Sequence, residues 1–267
     1  MLNRIGIGRT AEIYEIDDNK VLKLYFGNIS DEAINTEFDI NRALNETNVP
    51  IANCYEIIKK ENRTGIIFDK IDGISMMKSM TNNPFESIKY AEKLAHIHYG
   101  IHNKEVNFKL PDNKEQIKQR IHSVELLNEQ YKNKLYKYID LLPNQKKLCH
   151  GDFHPENILL TSNEDYVIDW MTATIGNSCS DIAHTDLLLR YGVSPDEKHG
   201  IEKFITNIVK NRFADKYINT YIRLSKVNIN EVKKWRIPHL ASMLNDVMPN
   251  STKKKFLKNI HSELKSI

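Results

Sequence analysis

Asp152 and Asn157 stand five positions apart in "HGDFHPENIL", residues 150 to 159, and Asp169 follows in "YVIDW". A carboxylate can orient an attacking hydroxyl and take its proton. A second carboxylate and an amide oxygen are hard ligands suited to magnesium. Upstream, "IGIGRTAEIY" places Gly6 and Gly8 in a strand-turn-strand setting, Lys23 follows in "VLKLY", and Glu37 lies on a helical stretch. A glycine turn admits phosphates to backbone amides, a lysine neutralises their charge, and a glutamate fixes the lysine. Taken in order, these residue types make a kit for phosphoryl transfer.

Simpler readings compete with this one. Asp and Asn favour turns, so Asp152 and Asn157 alone could merely shape a loop. Asp169, however, ends an otherwise apolar "YVID" strand, where an unpaired carboxylate is costly. One metal ion explains all three residues together. His150, His154 and the neighbouring Cys149 do not supply a zinc ligand set at a suitable spacing, so both histidines read as structural, with His150 bracing the loop. His96, His98 and His102 recur at helical spacing beside Leu94 and Ile97, which points to packing and hydrogen bonding. Asp181 in "SCSDIAH" reads as structural support, and the basic run "STKKKFLKN" (251 to 259) as a solvated helix face.

The elements that must position these groups change character along the chain. "RIGIG", "AEIYEID" and "VLKLYF" read as strands, with "DDNK" as a turn. Ile34, Phe38, Ile40 and Leu44 suit a helix capped by Ser30 or Asp31. "CYEIIKK" and "IIFDKI" read as a hairpin across "ENRTG". Beyond Gly73 helices dominate, the first capped by Asn83 with Pro84 at its first position. A second helical stretch, one helix or two, ends at Pro143, and strands return in "NILLT" and "YVIDW". The pattern is α+β, not an alternating parallel sheet.

Composition narrows the class. With 267 residues and 40% hydrophobic content the chain can bury one large core or two. A net charge of +3 gives no general case for nucleic acid or membrane binding, and no apolar run is long enough to span a bilayer. Three scattered cysteines and no signal-peptide pattern fit a reducing cytoplasm.

The chain resembles the aminoglycoside phosphotransferase and choline kinase-like family, small-molecule relatives of the protein kinases. "HGDFHPENIL" followed by "VIDW" matches the family's catalytic loop and metal segment. "LKLY", "TEFDINRAL", "IIFDKIDG" and "LAHIH" fall in the family's order around it, across about residues 3 to 190. The resemblance implies a bilobal, protein-kinase-like α+β fold. Residues 1–68 would form a small antiparallel β lobe with one helix, 69–75 a hinge, and 76–267 a larger, mainly helical lobe. Asp152 would be the catalytic residue, and Asn157 and Asp169 would hold Mg²⁺. Lys23, paired with Glu37, would contact nucleotide phosphates, as would Gly6 and Gly8. Phe68 would back the adenine pocket, with the Asp69 carbonyl and Ile71 amide bonding the base. ATP is the implied donor, with GTP as an alternative, and a small-molecule hydroxyl is the implied acceptor. The protein would act as a monomer or dimer.

Departures from the pattern refine this. Ala11 stands where a third glycine would complete the phosphate loop. His-Gly-Asp replaces His-Arg-Asp, and no Ala-Pro-Glu segment follows Asp169, which favours a small acceptor over a protein. A non-catalytic pseudokinase is the competing class, and Lys23, Asp152 and Asp169 are all retained against it. From Asp181 onward there are 16 Lys and Arg against 9 Asp and Glu, which weighs against a polycationic antibiotic. A choline-type acceptor would want an aromatic cage, for which Trp170, Tyr191, Tyr217, Tyr221 and Trp235 are candidates.

Overall fold

A computed structural model describes residues 3–192 and 200–265 of the chain. Strands β1 (Asn3–Ile7), β2 (Ala11–Glu15) and β3 (Lys20–Tyr25) lead into helix α1 (Asp31–Leu44), followed by β4 (Cys54–Lys60) and β5 (Arg63–Asp69). All five strands form one antiparallel sheet in the order β1-β2-β3-β5-β4. Two residues with positive φ, Glu61 and Asn62, close the β4–β5 hairpin, as a tight primed turn requires. Ser30 caps α1 by accepting from the Ala33 N–H, and Asp31 and Glu32 occupy its first turn, where they favour the helix dipole.

The next helix begins earlier than the sequence suggests. Following β6 (Ile74–Ser75), Ser75 caps a short helix α2 (Met76–Asn82) that Asn83 closes. Pro84–Glu86 is a 3₁₀ turn, and α3 (Ser87–His102) starts only after it. Pro84 does start a helical turn, since its missing N–H costs nothing there, but the turn is too tight to be the helix proper. The stretch ending at Pro143 is two helices, α4 (Asn113–His122) and α5 (Glu129–Leu141). Then come β7 (Lys147–Cys149), β8 (Ile158–Leu160), β9 (Asp165–Val167) and β10 (Thr174–Gly176). Helices α6 (Ser178–Tyr191), α7 (Gly200–Ser225), α8 (Ile229–Lys234), α9 (Arg236–Ser242) and α10 (Asn250–Glu263) complete the chain.

Contacts divide the chain into two compact units that interleave in sequence. One comprises residues 1–84, 104–108 and 155–173; the other comprises 85–103, 109–154 and 174–267. In the first unit Ala11, Tyr25, Ile34, Cys54, Ile66 and Phe68 form a buried cluster against which Val21, Phe38, Ile71 and Met171 pack. β6, β8 and β9 form a second small sheet in this unit. In the other unit α7 packs on α3 and α6, and β7 pairs with β10. Ala95, Ile182, Leu187 and Tyr217 are fully buried there. Each large apolar side chain so enclosed contributes about 1.5–3 kcal/mol. The expected α+β arrangement, an antiparallel N-terminal sheet and a helical C-terminal part, is therefore present.

Candidate active site

Alternation along β3 sends Lys23 and Tyr25 to the same face of the sheet. Close approach of β5 is needed beside them, and Gly65 allows it. A Cβ at Gly65 would sit 2.7 Å from Leu22 Cδ1 and 2.9 Å from the Lys23 carbonyl oxygen. From α1, Glu37 points into the same space because it shares the buried face with Ile34, Ile40, Asn41 and Leu44. Lys23 Nζ donates to Glu37 Oε1 at 2.7 Å and to Asp169 Oδ1 at 3.0 Å. The Tyr25 hydroxyl donates to the other Glu37 oxygen at 2.7 Å. Burial by itself would lower the Lys23 pKa; the Glu37 and Asp169 carboxylates outweigh it and raise the pKa above the ordinary lysine value. Burial raises the Glu37 pKa, and Lys23 opposes that. Two carboxylates thus share one ammonium. Glu37 is 1% exposed, whereas the Asp169 side chain is 37% exposed and forms the open end of the cluster.

Asp169 lies two residues beyond β9, in the left-handed region at φ 64°, ψ 63°. For a non-glycine residue that conformation costs about 1–2 kcal/mol. The neighbours hold it there. Trp170 is fully buried and its indole N–H donates to the Val167 carbonyl at 3.0 Å. The Ile168 N–H donates to the Asn157 carbonyl at 3.0 Å, which sets Asn157 beside the residue preceding Asp169. The β8–β9 pairing, Ile158 opposite Val167, fixes that register. Asn157 and Asp169 together offer an amide oxygen and a carboxylate, a donor set that suits magnesium.

The remaining residues expected on the nucleotide side also lie in the first unit. Phe68 is buried in the apolar cluster, opposite Val21 on β3. Asp69 closes β5, and its carboxylate accepts from Asn53 Nδ2 at 2.6 Å and from the Tyr55 hydroxyl at 2.5 Å. Ile71 packs at the edge of the same cluster, and its carbonyl accepts from the Gly73 N–H. Gly6 pairs with Ile13, and the Gly8 N–H closes the β1–β2 turn on the Ala11 carbonyl at 2.8 Å. A Cβ at either glycine would meet only ordinary contacts, so neither position sterically requires glycine.

Asp152 belongs to the second unit, on the loop after β7. Gly151 precedes it at φ 79°, a conformation that favours glycine. Asp181, buried on α6, holds this loop. It accepts the His150 N–H at 2.7 Å and the Gly151 N–H at 2.9 Å. It also accepts His98 Nε2 at 2.9 Å and His102 Nε2 at 3.2 Å, while each histidine Nδ1 bonds a tyrosine hydroxyl, Tyr217 or Tyr221, at 2.6 Å. Although His98, His102 and Asp181 converge closely enough to hold a metal ion, every ring nitrogen already has a hydrogen-bond partner. His150 Nδ1 accepts the Asp152 N–H at 3.2 Å, so it braces the loop as the sequence suggested. His154 Nε2 lies 3.5 Å from Asp152 Oδ2. Burial would raise the Asp152 pKa, but His154, His184 and His150 more than offset it and hold the carboxyl well below its usual range. Asp152 is therefore held as an ionised hydrogen-bond acceptor.

Two contributors were not singled out from sequence. Tyr25 carried a signal, since it stands two residues after Lys23 on one strand. The pairing of His98 and His102 with Tyr217 and Tyr221 did not, because the partners lie 119 residues apart. Of the proposed aromatic cage, Trp170, Trp235, Tyr217 and Tyr221 are each no more than 1% exposed and sit in the core, so they cannot enclose a ligand.

Comparison with known proteins identifies the class first: the fold is that of kinase-like phosphotransferases. The aminoglycoside phosphotransferase APH(4)-Ia, as a thermostable mutant in its apo form, superposes with a TM-score of 0.68 at 13% identity over 100% of this chain and 94% of that one. The streptomycin–ATP ternary complex of APH(2")-IIa gives 0.60 at 17% identity, over 98% and 91% of the two chains. Amicoumacin kinase hAmiN, in complex with AMP-PNP, Ca²⁺ and Ami, gives 0.61 at 14% identity, over 99% and 88%. The chain belongs to the phosphotransferase enzyme family, which matches residues 2–198. It is thus an enzyme, a phosphotransferase. A 62-residue stretch is also 37% identical to the probable acyl-CoA dehydrogenase IBR3 of Arabidopsis thaliana, covering 22% of this chain and 8% of that protein. The chain therefore spans less than a tenth of that relative.

Proposed function

We propose that the protein transfers the γ-phosphoryl group of ATP to a hydroxyl of a small molecule. The observation that carries this reading is Lys23 Nζ held at 2.7 Å and 3.0 Å between Glu37 and Asp169. Such a cluster keeps the ammonium charged and in place for phosphate oxygens. Asn157 and Asp169 would hold Mg²⁺, which when bound supplies neutralisation of phosphate charge. Asp152, ionised at the end of its braced loop, orients the acceptor hydroxyl and takes its proton. The acceptor oxygen forms a bond to the γ-phosphorus as the bond to the bridging oxygen of ADP breaks. Val21, Phe68 and Ile71 supply an apolar surface for the base, with the Asp69 carbonyl and Ile71 N–H as its hydrogen-bond partners. Phe68 is bulky, which supports ATP over GTP. Glycine is not required sterically at Gly6 or Gly8, so their contribution is limited to backbone amides near phosphate. Among the described residues no helix is long and apolar enough to cross a membrane. Cys54, Cys149 and Cys179 are free and buried, which supports a cytoplasmic setting.

A coupled ADP-release assay with Mg-ATP tests this. Asp152→Ala is expected to lower kcat by about 10²–10⁴-fold while nucleotide still binds, and Asp169→Ala to weaken binding of the magnesium nucleotide. Full activity in both variants would overturn the mechanism. Retention of all three charged groups argues against a non-catalytic scaffold, which would bind ATP and release no ADP.

A further inference from the structure

The surroundings of Asp152 in the second unit say what kind of acceptor it serves. The groups acting on Asp152 are imidazoles: His154 at 3.5 Å, His150 behind the loop, and His184, one helical turn after Asp181 on α6. His184 is buried, stacks on His239 with ring centroids 4.7 Å apart, and lies within electrostatic reach of Arg120. Its Nε2 is buried with no hydrogen-bond partner. Burial, then Arg120, lowers the His184 pKa, and the Asp152 and Asp181 carboxylates oppose that shift.

A polycationic acceptor would need carboxylates left over to receive it. From Asp181 onward the described carboxylates are largely spent within the protein. Asp181 is taken up by the catalytic loop and two histidines. Asp186, 3% exposed, receives Arg190 at 2.9 Å and Arg236 at 2.5 Å. Asp215 receives Arg190 at 2.6 Å, Asp246 receives Arg120 at 2.9 Å, and Glu231 receives Lys234 at 2.7 Å. A quaternary ammonium acceptor would need open aromatic faces. Tyr217, Tyr221 and Trp235 are buried, and the Tyr191 ring is covered by Lys255 Nζ at 5.0 Å, with Phe256 packed edge-on.

We infer that the acceptor is a non-cationic hydroxyl compound, neutral or anionic, bound beside Asp152 and the His154 and His184 imidazoles. This deepens the phosphotransfer reading and rests on it. Full-chain protein with Mg-ATP is assayed for ADP release with gentamicin, choline, glucose, glycerol, a nucleoside and glycerate, each at about 1 mM, near the upper end of ordinary KM values. The highest kcat/KM is expected for a neutral or anionic member, the arms separating the two. Gentamicin and choline should raise the acceptor-free rate less than about twofold, and calorimetry on protein loaded with Mg-AMP-PNP should show no saturable gentamicin binding. Saturable turnover of gentamicin or choline at the highest kcat/KM, or micromolar binding of either, overturns the inference. Failure of the underlying reading shows separately, as absence of any Mg-ATP-dependent thermal shift.

Discussion

Lys23 in the first unit and Asp181 in the second are both buried charges, and the protein compensates them in different ways. Lys23 faces two carboxylates, and the more exposed of them, Asp169, is the member proposed to hold Mg²⁺. Asp181 meets four N–H donors, two from backbone and two from imidazoles, and each imidazole is tied down by a tyrosine. An excess of negative charge with one open end can exchange partners when a cation or phosphate arrives. A carboxylate with its lone pairs filled by fixed donors has nothing left to exchange and serves to hold a backbone in place. The first cluster keeps one open member, and the second is saturated by fixed donors.

Substitutions can sharpen that contrast. The largest effect on stability is expected at Asp181. Asp181→Ala strands two backbone N–H groups and two imidazoles, and should cost about 3–5 kcal/mol in urea unfolding, with loss of turnover. A change under about 1 kcal/mol would show that the second cluster is not a brace. Acidification comes next. Burial, followed by His102, lowers the His98 pKa from its ordinary value to about 4, and His184 and His239 shift in the same direction. Between about 6.5 and 4 the unfolded chain binds more protons than the folded one, so stability should fall as pH drops through that window. His98 alone contributes on the order of 3 kcal/mol over the full range. Urea midpoints at pH 7.5, 6 and 5 measure this, and a flat series would contradict it. Tyr221→Phe removes only the hydroxyl that holds His102 and should cost about 1 kcal/mol with a modest fall in kcat. Lys59→Ala breaks the exposed 3.3 Å pair with Asp31 and should change stability by less than about 0.5 kcal/mol.

The same contrast explains what the sequence could convey. "HGDFHPENIL" and "VIDW" are local, so the residues proposed for catalysis and metal binding could be named from them, and the strand around Lys23 and the helix bearing Glu37 are present as expected. Their assembly was less legible. Asp152 falls in one compact unit, whereas Asn157, five residues later, falls in the other, and no local pattern marks that change. The brace on the catalytic loop joins α3, α6 and α7 across long sequence separations, where periodicity shows a helix face but not its partner. The aromatic residues misled for the same reason: Trp235 and Tyr217 read alike in a core or a cage, and only packing decides. Pro84 marked a helical start, which is a 3₁₀ turn, whereas Asn83 ends α2 instead of capping the helix that follows, and α3 begins only at Ser87.

The most direct test separates nucleotide binding from transfer in three proteins: the unaltered chain, Asp152→Asn and Lys23→Met. Calorimetric Kd for Mg-ATP is measured beside ADP release with the best acceptor. Asp152→Asn is predicted to keep Kd within about threefold while turnover falls at least about 10²-fold, and Lys23→Met to lose both. Turnover by Asp152→Asn at the unaltered rate would contradict the assignment of phosphoryl transfer to this loop.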